Sequence, residues 1–142
     1  MWQQVEASLR ARSRGFHLID DELQQALARL KPVRVGLLHV WLKHTSASLS
    51  VNENADPLVR GDLARFCARL VPDGSPYFQH TYEGADDMPA HVLSALLGCS
   101  VQLPISNGRL ALGTWQGVYL GEHREHAGIR RVLLTLNGEP MS

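Results

Sequence analysis

The sequence is poor in cysteine and contains no long apolar run. Only two of its 142 residues are cysteines, and Cys67 and Cys99 are too few and too far apart for a disulfide framework or a zinc ribbon. The longest apolar run, residues 35–42, contains His39 and is too short to span a bilayer. The first residues lack the basic start and apolar stretch of a signal peptide. We therefore expect a cytoplasmic protein with reduced thiols and no membrane segment.

An excess of charge of either sign is also absent. Fourteen Lys and Arg residues balance fourteen Asp and Glu residues, which argues against broad binding of nucleic acid or of an anionic membrane. Apolar residues make up 44% of the chain and charged residues 20%, which is ordinary for a soluble globular protein. We expect residues 1–142 to form a single domain with its own core.

Strand patterns outnumber helix patterns, and they follow one another in consecutive pairs. The predicted strands are residues 2–10, 16–19, 33–43, 48–52, 101–105, 109–112, 116–122 and 129–136. Asn107-Gly108 is typical of a two-residue hairpin turn. Residues 33–43 carry apolar side chains in both phases, which predicts a central strand covered on both sides. Together these patterns predict an α+β fold with mostly antiparallel sheets.

Helix-start signals and apolar spacing predict three helices. The starts are marked by Asp20, by Asp56-Pro57 and by Asp86 or Asp87. Each start is followed by apolar residues that recur on one helical face. On the second helix the apolar stripe is formed by Val59, Leu63, Phe66, Cys67 and Leu70, and on the third we expect the core to be faced by Val92, Leu93, Leu96 and Leu97.

Three clusters of polar residues lie near the predicted strand and helix ends. They place His44, His80 and His91 near these ends. Three neutral imidazoles can hold a divalent metal and its water. Their spacing is no metal signature, so hydrogen-bonded cap or strand-end histidines are the alternative. His91 lies one helical turn after Asp87, whose carboxylate can therefore orient its imidazole.

Glu122 is the carboxylate in the most unusual position. On a strand it shares a face with Gln116 and with two apolar residues between them. A glutamate at the inward end of a strand needs a cation, a metal or a proton as its partner. The alternative is a solvated residue at the rim of the sheet. The next residue, His123, falls on the opposite face, and we expect it at the surface.

Few residues are suited to binding anions. Thr45 and Ser46 offer hydroxyls and, in a tight turn, backbone N–H groups that can hold a phosphate, although a hydroxyl-rich β-turn is the alternative. Arg109 follows the predicted hairpin turn and is either an anion anchor or a rim residue. The sequence contains no Gly-rich phosphate loop, dinucleotide-binding fingerprint or nucleophile elbow.

Four long motifs resemble those of the YjbQ-like family. They are His44-Thr45-Ser46-Ala47-Ser48-Leu49, Asn52-Glu53-Asn54-Ala55-Asp56, the run from Glu83 to His91, and Gly108 to Gln116. The similarity extends from the first predicted hairpin to Gly138-Glu139. The resemblance implies an α+β fold of two sheets packed as a sandwich, and a homotrimer. It also implies that the polar residues gather in one pocket near a subunit boundary.

The resemblance implies a role for each motif residue. The implied metal ligands are His44, His80 and His91, and the implied catalytic acids are Asp86 and Glu122. The residues expected to bind substrate are Thr45, Ser46, Arg109, Trp115 and Gln116. Asp87 stands where many relatives carry Asn.

The resemblance implies a thiamine-phosphate synthase-like activity. We therefore predict a metal-assisted transferase that acts on small phosphorylated substrates with a divalent ion, which is zinc, magnesium or manganese. Two alternatives stay open. One is a trimeric protein that binds a metal or metabolite without physiological catalysis, and the other is a metal-dependent hydrolase.

Overall fold

A computed structural model describes residues 1–141 and gives eight strands and three helices within them. In chain order the elements are β1 (Trp2–Leu9), β2 (Gly15–Leu18), α1 (Asp20–Leu27), β3 (Val33–Leu42), β4 (Ala47–Glu53), α2 (Pro57–Leu70), α3 (Asp87–Leu97), β5 (Ser100–Ser106), β6 (Arg109–Leu110), β7 (Gln116–Glu122) and β8 (Arg130–Pro140).

The strands form two antiparallel sheets. The larger sheet has the order β1-β8-β3-β5-β6, and the smaller has the order β2-β7-β4. All paired strands run antiparallel. The predicted α+β class with two antiparallel sheets and three helices is therefore confirmed.

The main core lies between the two sheets. Leu38 and Leu134 from the larger sheet and Leu49 and Leu120 from the smaller one are almost completely buried in one cluster. Removing each leucine side chain from water contributes about 2 kcal/mol to folding. This packing fixes the direction of β7, and so it fixes where Glu122 at the end of that strand emerges.

The central strand β3 has one covered face and one open face in the single chain. Leu38 and Val40 are fully buried, whereas Val35, Leu37 and Trp41 in the other phase are between 44% and 49% exposed. The prediction that β3 is covered on both sides is therefore wrong for the chain by itself. The apolar pattern shows that a face avoids water, but it does not show which chain covers that face.

The helices begin where the sequence predicts, but their apolar faces are less buried than expected. The Asp56 carboxylate caps α2 by accepting a hydrogen bond from the Leu58 N–H. On α3, Leu96 and Leu97 are 62% and 40% exposed, so the prediction that they face the core is wrong, whereas Leu93 is buried as predicted. On α2 the apolar stripe is buried only at Cys67, and Phe66 is 63% exposed. Within residues 1–141, no helix has the length and apolar character needed to cross a membrane.

Candidate metal centre and its surroundings

Two histidines converge on one carboxylate at the start of α3. Asp87 is 1% exposed, and its Oδ2 lies 2.8 Å from His80 Nε2 and 3.1 Å from His91 Nε2. One ligand atom from each of the three side chains falls within 4.8 Å of the others. Asp87 and His91 are one helical turn apart, and His80 comes from the segment before the helix. The arrangement is a potential two-histidine, one-carboxylate metal site.

The main chain fixes the tautomer of His91. Its Nδ1 lies 2.8 Å from the carbonyl oxygen of Thr45, and a carbonyl oxygen can only accept, so Nδ1 must carry a hydrogen. In the neutral imidazole, Nε2 then has a lone pair, and that lone pair faces the Asp87 carboxylate. Two acceptors at 3.1 Å need a proton or a cation between them. A proton on either His91 or Asp87, or a bound cation, supplies it.

Arg124 binds the remaining oxygen of Asp87 and also the neighbouring carboxylate of Asp86. One of its terminal nitrogens is 2.8 Å from Asp87 Oδ1, and its Nε is 2.9 Å from Asp86 Oδ2. Burial alone would raise the pKa of Asp86, but hydrogen bonds from the Glu125 N–H and from Arg124 outweigh it, and the net pKa is lowered. Asp86 is therefore an ionised anchor for Arg124 in this geometry.

Glu122 has a cation as its partner. It is completely buried, and Arg130 donates to both of its oxygens, at 2.8 and 2.6 Å. The same guanidinium reaches the carbonyl and hydroxyl oxygens of Ser46, at 3.1 and 3.0 Å. The Arg124 N–H adds a bond to Glu122 at 3.1 Å. Both carboxylate oxygens are thus held by fixed donors.

His44 lies outside the group formed by His80, Asp87 and His91. Its Nε2 accepts a hydrogen bond from the Arg131 N–H at 2.8 Å, so the neutral ring carries its hydrogen on Nδ1. Burial, followed by the charge of Arg130, lowers the pKa of His44 and favours that neutral form. Together with Thr45 and His91, His44 lines a cavity of about 660 Å³.

Trp115, Gln116 and Arg109 lie away from this region within one chain. Gln116 starts β7 opposite Glu53, whereas Glu122 ends the strand opposite Ala47. A strand of that length separates its ends by roughly 20 Å. Trp115 is 66% exposed, and Arg109 is exposed on β6, opposite Ser106. A single chain therefore gathers part of the predicted site, which comprises His44, Thr45, Ser46, His80, Asp86, His91 and Glu122.

Sequence reasoning misplaced His123 and assigned no role to Arg130. His123 is 3% exposed rather than at the surface, and its Nε2 lies 2.8 Å from the Ser48 hydroxyl. Gly121, two residues earlier, leaves room for this pair, because a Cβ there would meet Ser48 Oγ at 2.3 Å, but no sequence pattern indicates that contact. The salt bridges of Arg124 and Arg130 have no local sequence signal, since the carboxylate partners are distant in sequence or belong to another strand.

Comparison with known proteins gives one consistent result. Residues 5–139 match the family described as "UPF0047 protein YjbQ-like". UPF0047 protein YjbQ of Escherichia coli O157:H7 is 56% identical over 98% of this chain and 100% of its own length. A UPF0047 protein of Synechocystis is 48% identical over 89% of this chain and 85% of its own length.

Solved structures have the same fold. A conserved hypothetical protein from Thermus thermophilus is 34% identical with a TM-score of 0.79, covering 91% of this chain and 97% of that one. A YjbQ-like protein of unknown function from Sulfolobus solfataricus is 18% identical with a TM-score of 0.84, over 98% and 99% of the two chains. The second likeness concerns the fold alone. The chain belongs to the YjbQ-like (UPF0047) family.

Proposed function

We propose that the protein is a divalent-metal-dependent transferase for small phosphorylated substrates, with thiamine-phosphate synthesis as the candidate reaction. The main support for a metal site is the tautomer of His91. Its Nδ1–H is held by the Thr45 carbonyl, and its Nε2 lone pair points at the Asp87 carboxylate. Metal-binding histidines characteristically donate their second N–H to a carbonyl or carboxylate in this way.

His80 and His91, through Nε2, and Asp87, through Oδ2, would hold the ion. Arg124 occupies Asp87 Oδ1, which leaves one oxygen of the carboxylate for the metal. Two imidazoles and one carboxylate suit zinc or manganese better than magnesium, which prefers oxygen ligands. Three protein ligands also leave coordination positions for a substrate oxygen. The ion, when bound, would supply positive charge that stabilises a diphosphate leaving group.

The cavity beside the cluster offers donors for a phosphate. His44 is a ligand in the family-based prediction, but its Nε2 already accepts from Arg131. We propose instead that its Nδ1–H donates to the substrate. Thr45 and Lys43 line the same cavity and add a hydroxyl and an ammonium group, which a phosphate would have to share with Glu6 at 3.3 Å across an exposed contact. Ser46 would act indirectly, by holding Arg130 against Glu122, and Glu122 would keep Arg130 and the Arg124 backbone in place.

We further propose a homotrimer in which a neighbouring subunit completes the site. The exposed apolar side chains of Val35, Leu37 and Trp41 on β3 support a covered sheet face. Trp115 and Gln116 lie too far along β7 to reach the cluster of their own chain, so a partner subunit would have to supply them, together with Arg109. The mass measured by size-exclusion chromatography with light scattering tests this, and a monomer at micromolar concentration contradicts it.

Elemental analysis tests the metal site directly. After incubation with Zn²⁺ or Mn²⁺ and desalting, we expect about one ion per chain in the wild type. His80→Ala, Asp87→Asn and His91→Ala should each lose it. His126→Ala, which changes an exposed histidine, is the matched control and should retain it. A metal-free wild type, or full occupancy in His91→Ala, contradicts the site, and a proton shared between His91 and Asp87 then accounts for their contact.

Turnover tests the reaction separately. The metal-loaded protein is given a pyrimidine methyl diphosphate and a thiazole phosphate, and the joined product and pyrophosphate are measured. We expect product that is lost in His91→Ala and kept in His126→Ala. Bound metal without turnover would support the binding-protein alternative. Phosphate release from simple phosphate esters would support the hydrolase.

A further inference from the structure

A second cavity lies beside the C-terminal end of β7 and is separate from the cavity that His44 and His91 line. It has a volume of about 370 Å³ and lies between β2, α2 and α3. Its apolar wall includes Phe16, Ala64, Cys67 and Leu93, and its polar lining consists of His123 and four charged residues, Arg14, Arg65, Glu122 and Glu125. This volume is within the range of small-molecule sites. The proposed metal ligands do not line it.

His123 presents one N–H to this cavity. The residue is 3% exposed, and its Nε2 lies 2.8 Å from Ser48 Oγ. Ser48 is fully buried, and within residues 1–141 its hydroxyl has no other side-chain partner. The hydroxyl therefore donates to Nε2, because a buried O–H without an acceptor is costly. The hydrogen of the imidazole is then on Nδ1, for which the described residues provide no acceptor. Among those residues Arg60 alone has a fully buried side-chain nitrogen without a partner, so Nδ1 of His123, which lines the cavity, is open to it.

The neighbouring residues hold this ring in one orientation. A Cβ on Gly121 would lie 2.9 Å from the His123 ring and 2.3 Å from Ser48 Oγ, so only glycine leaves room for the pair. The edge of Phe16 packs against the imidazole, with ring centroids 5.8 Å apart at 73°. The N–H is thus a fixed donor, and a ligand would not have to order it.

The charged side chains around the cavity already have partners. Arg14 is bound by both oxygens of Asp73 and by Glu125. Glu122 is paired with Arg130, and Arg65 is paired with an aspartate on its own helix. An anion entering the cavity would approach Glu122 and Glu125 without meeting a free cation among the described residues that line it. The electrostatics therefore favour an uncharged ligand.

We propose that this cavity binds an uncharged, largely apolar small molecule through one acceptor, a carbonyl oxygen or heteroaromatic nitrogen, that takes the Nδ1–H of His123. The apolar wall would cover the body of the molecule, and the single donor would orient it. The site is separate from the proposed metal centre, so binding should survive treatment of the protein with a chelator.

Benzamide is a suitable probe, and benzoate is its charged counterpart. Binding is followed by the NMR shifts of the His123 ring protons during titration of the chelated full-length protein. We expect saturable shifts with benzamide and at least about tenfold weaker binding of benzoate. Binding of benzoate as tight as that of benzamide, or no saturable shift with benzamide, overturns the proposal.

Two variants test the hydrogen bond from His123 and the space in the cavity independently of each other. His123→Phe, combined with Ser48→Ala to remove the orphaned hydroxyl, should weaken benzamide binding about tenfold, as measured by calorimetry. Ala64→Leu keeps His123 but fills the wall, and it should abolish binding. His126→Phe is the control and should bind like the wild type. Wild-type affinity in either the double variant or Ala64→Leu overturns the assignment, and retained circular dichroism establishes that each variant is folded.

Discussion

The two oxygens of Asp87 have different partners. Oδ2 faces His80 and His91, whereas Oδ1 faces Arg124. The guanidinium also binds Asp86, so it fixes the carboxylate relative to the segment that precedes α3. A carboxylate held in this way presents one oxygen in one direction, which is what a metal site with this donor set requires.

Replacing Arg124 should therefore weaken metal binding without removing a ligand. In Arg124→Lys the positive charge remains, but an ammonium cannot bridge both aspartates with the geometry of the guanidinium. We expect Zn²⁺ affinity to fall about 10- to 100-fold, measured by competition with a chromogenic chelator. Arg34→Lys changes an exposed arginine paired with Glu139 and should leave the affinity unchanged. Equal affinities in both variants would contradict the positioning role.

At this scale the sequence predicts residue types better than partners. It groups His44, His80 and His91 as metal ligands and expects Asp87 to orient His91, because a helix places residues four apart on one face. The structure brings His80 and His91 together with Asp87 itself, and His44 lies outside that group. Its actual hydrogen bond is to the backbone of Arg131, 87 residues away, and no local pattern encodes such a contact.

At the scale of elements, the Glu122–Arg130 pair connects the two sheets. Glu122 ends β7 in the smaller sheet, and Arg130 begins β8 in the larger one. Arg130 also reaches Ser46, directly before β4. The pair therefore holds the end of β7, the start of β8 and the start of β4 together, close to the candidate metal centre.

Breaking this pair should cost stability, whatever its role in catalysis. Glu122→Gln leaves the buried Arg130 without a counter-charge, and we expect the free energy of unfolding to fall by about 3–5 kcal/mol. The double variant Glu122→Leu/Arg130→Met should recover most of that loss, because it removes both charges. Urea denaturation at pH 7 measures each value. A loss below about 1 kcal/mol in Glu122→Gln would contradict the structural role.

Element boundaries could be predicted because their causes are local. The Asp56 cap is one such cause. The hairpin turn is another, since Asn107 and Gly108 both adopt positive φ, at 50° and 78°. Whether an apolar helix face is covered by the rest of the chain could not be predicted in the same way. Phe66 and Leu96 have helical apolar spacing but remain 63% and 62% exposed in the chain, because spacing does not identify the surface that covers a face.

At the scale of the whole molecule, one buried histidine makes stability depend on pH. Burial, followed by the charges of Arg14 and Arg130, lowers the pKa of His123 to about 4. The other titratable or polar groups around the ring come from the surrounding elements and are Ser48, Arg65, Cys67, Glu122 and Glu125. An unfolded histidine titrates near pH 6.5. Between these two values the unfolded chain binds a proton that the folded chain does not.

Stability should therefore decrease as the pH falls from about 6.5 to about 4. The shift in the pKa of His123 corresponds to a loss of roughly 3 kcal/mol across that window, and no further loss from this residue is expected below it. Urea denaturation at pH 7 and pH 4.5 measures the change. In Ser48→Ala/His123→Phe the dependence should be much shallower, while His126→Phe should behave as the wild type. If unfolding free energy depends on pH as steeply in the double variant as in the wild type, groups other than His123 cause the dependence. Burial also lowers the pKa of His44, so His44 is the next residue to test by the same comparison.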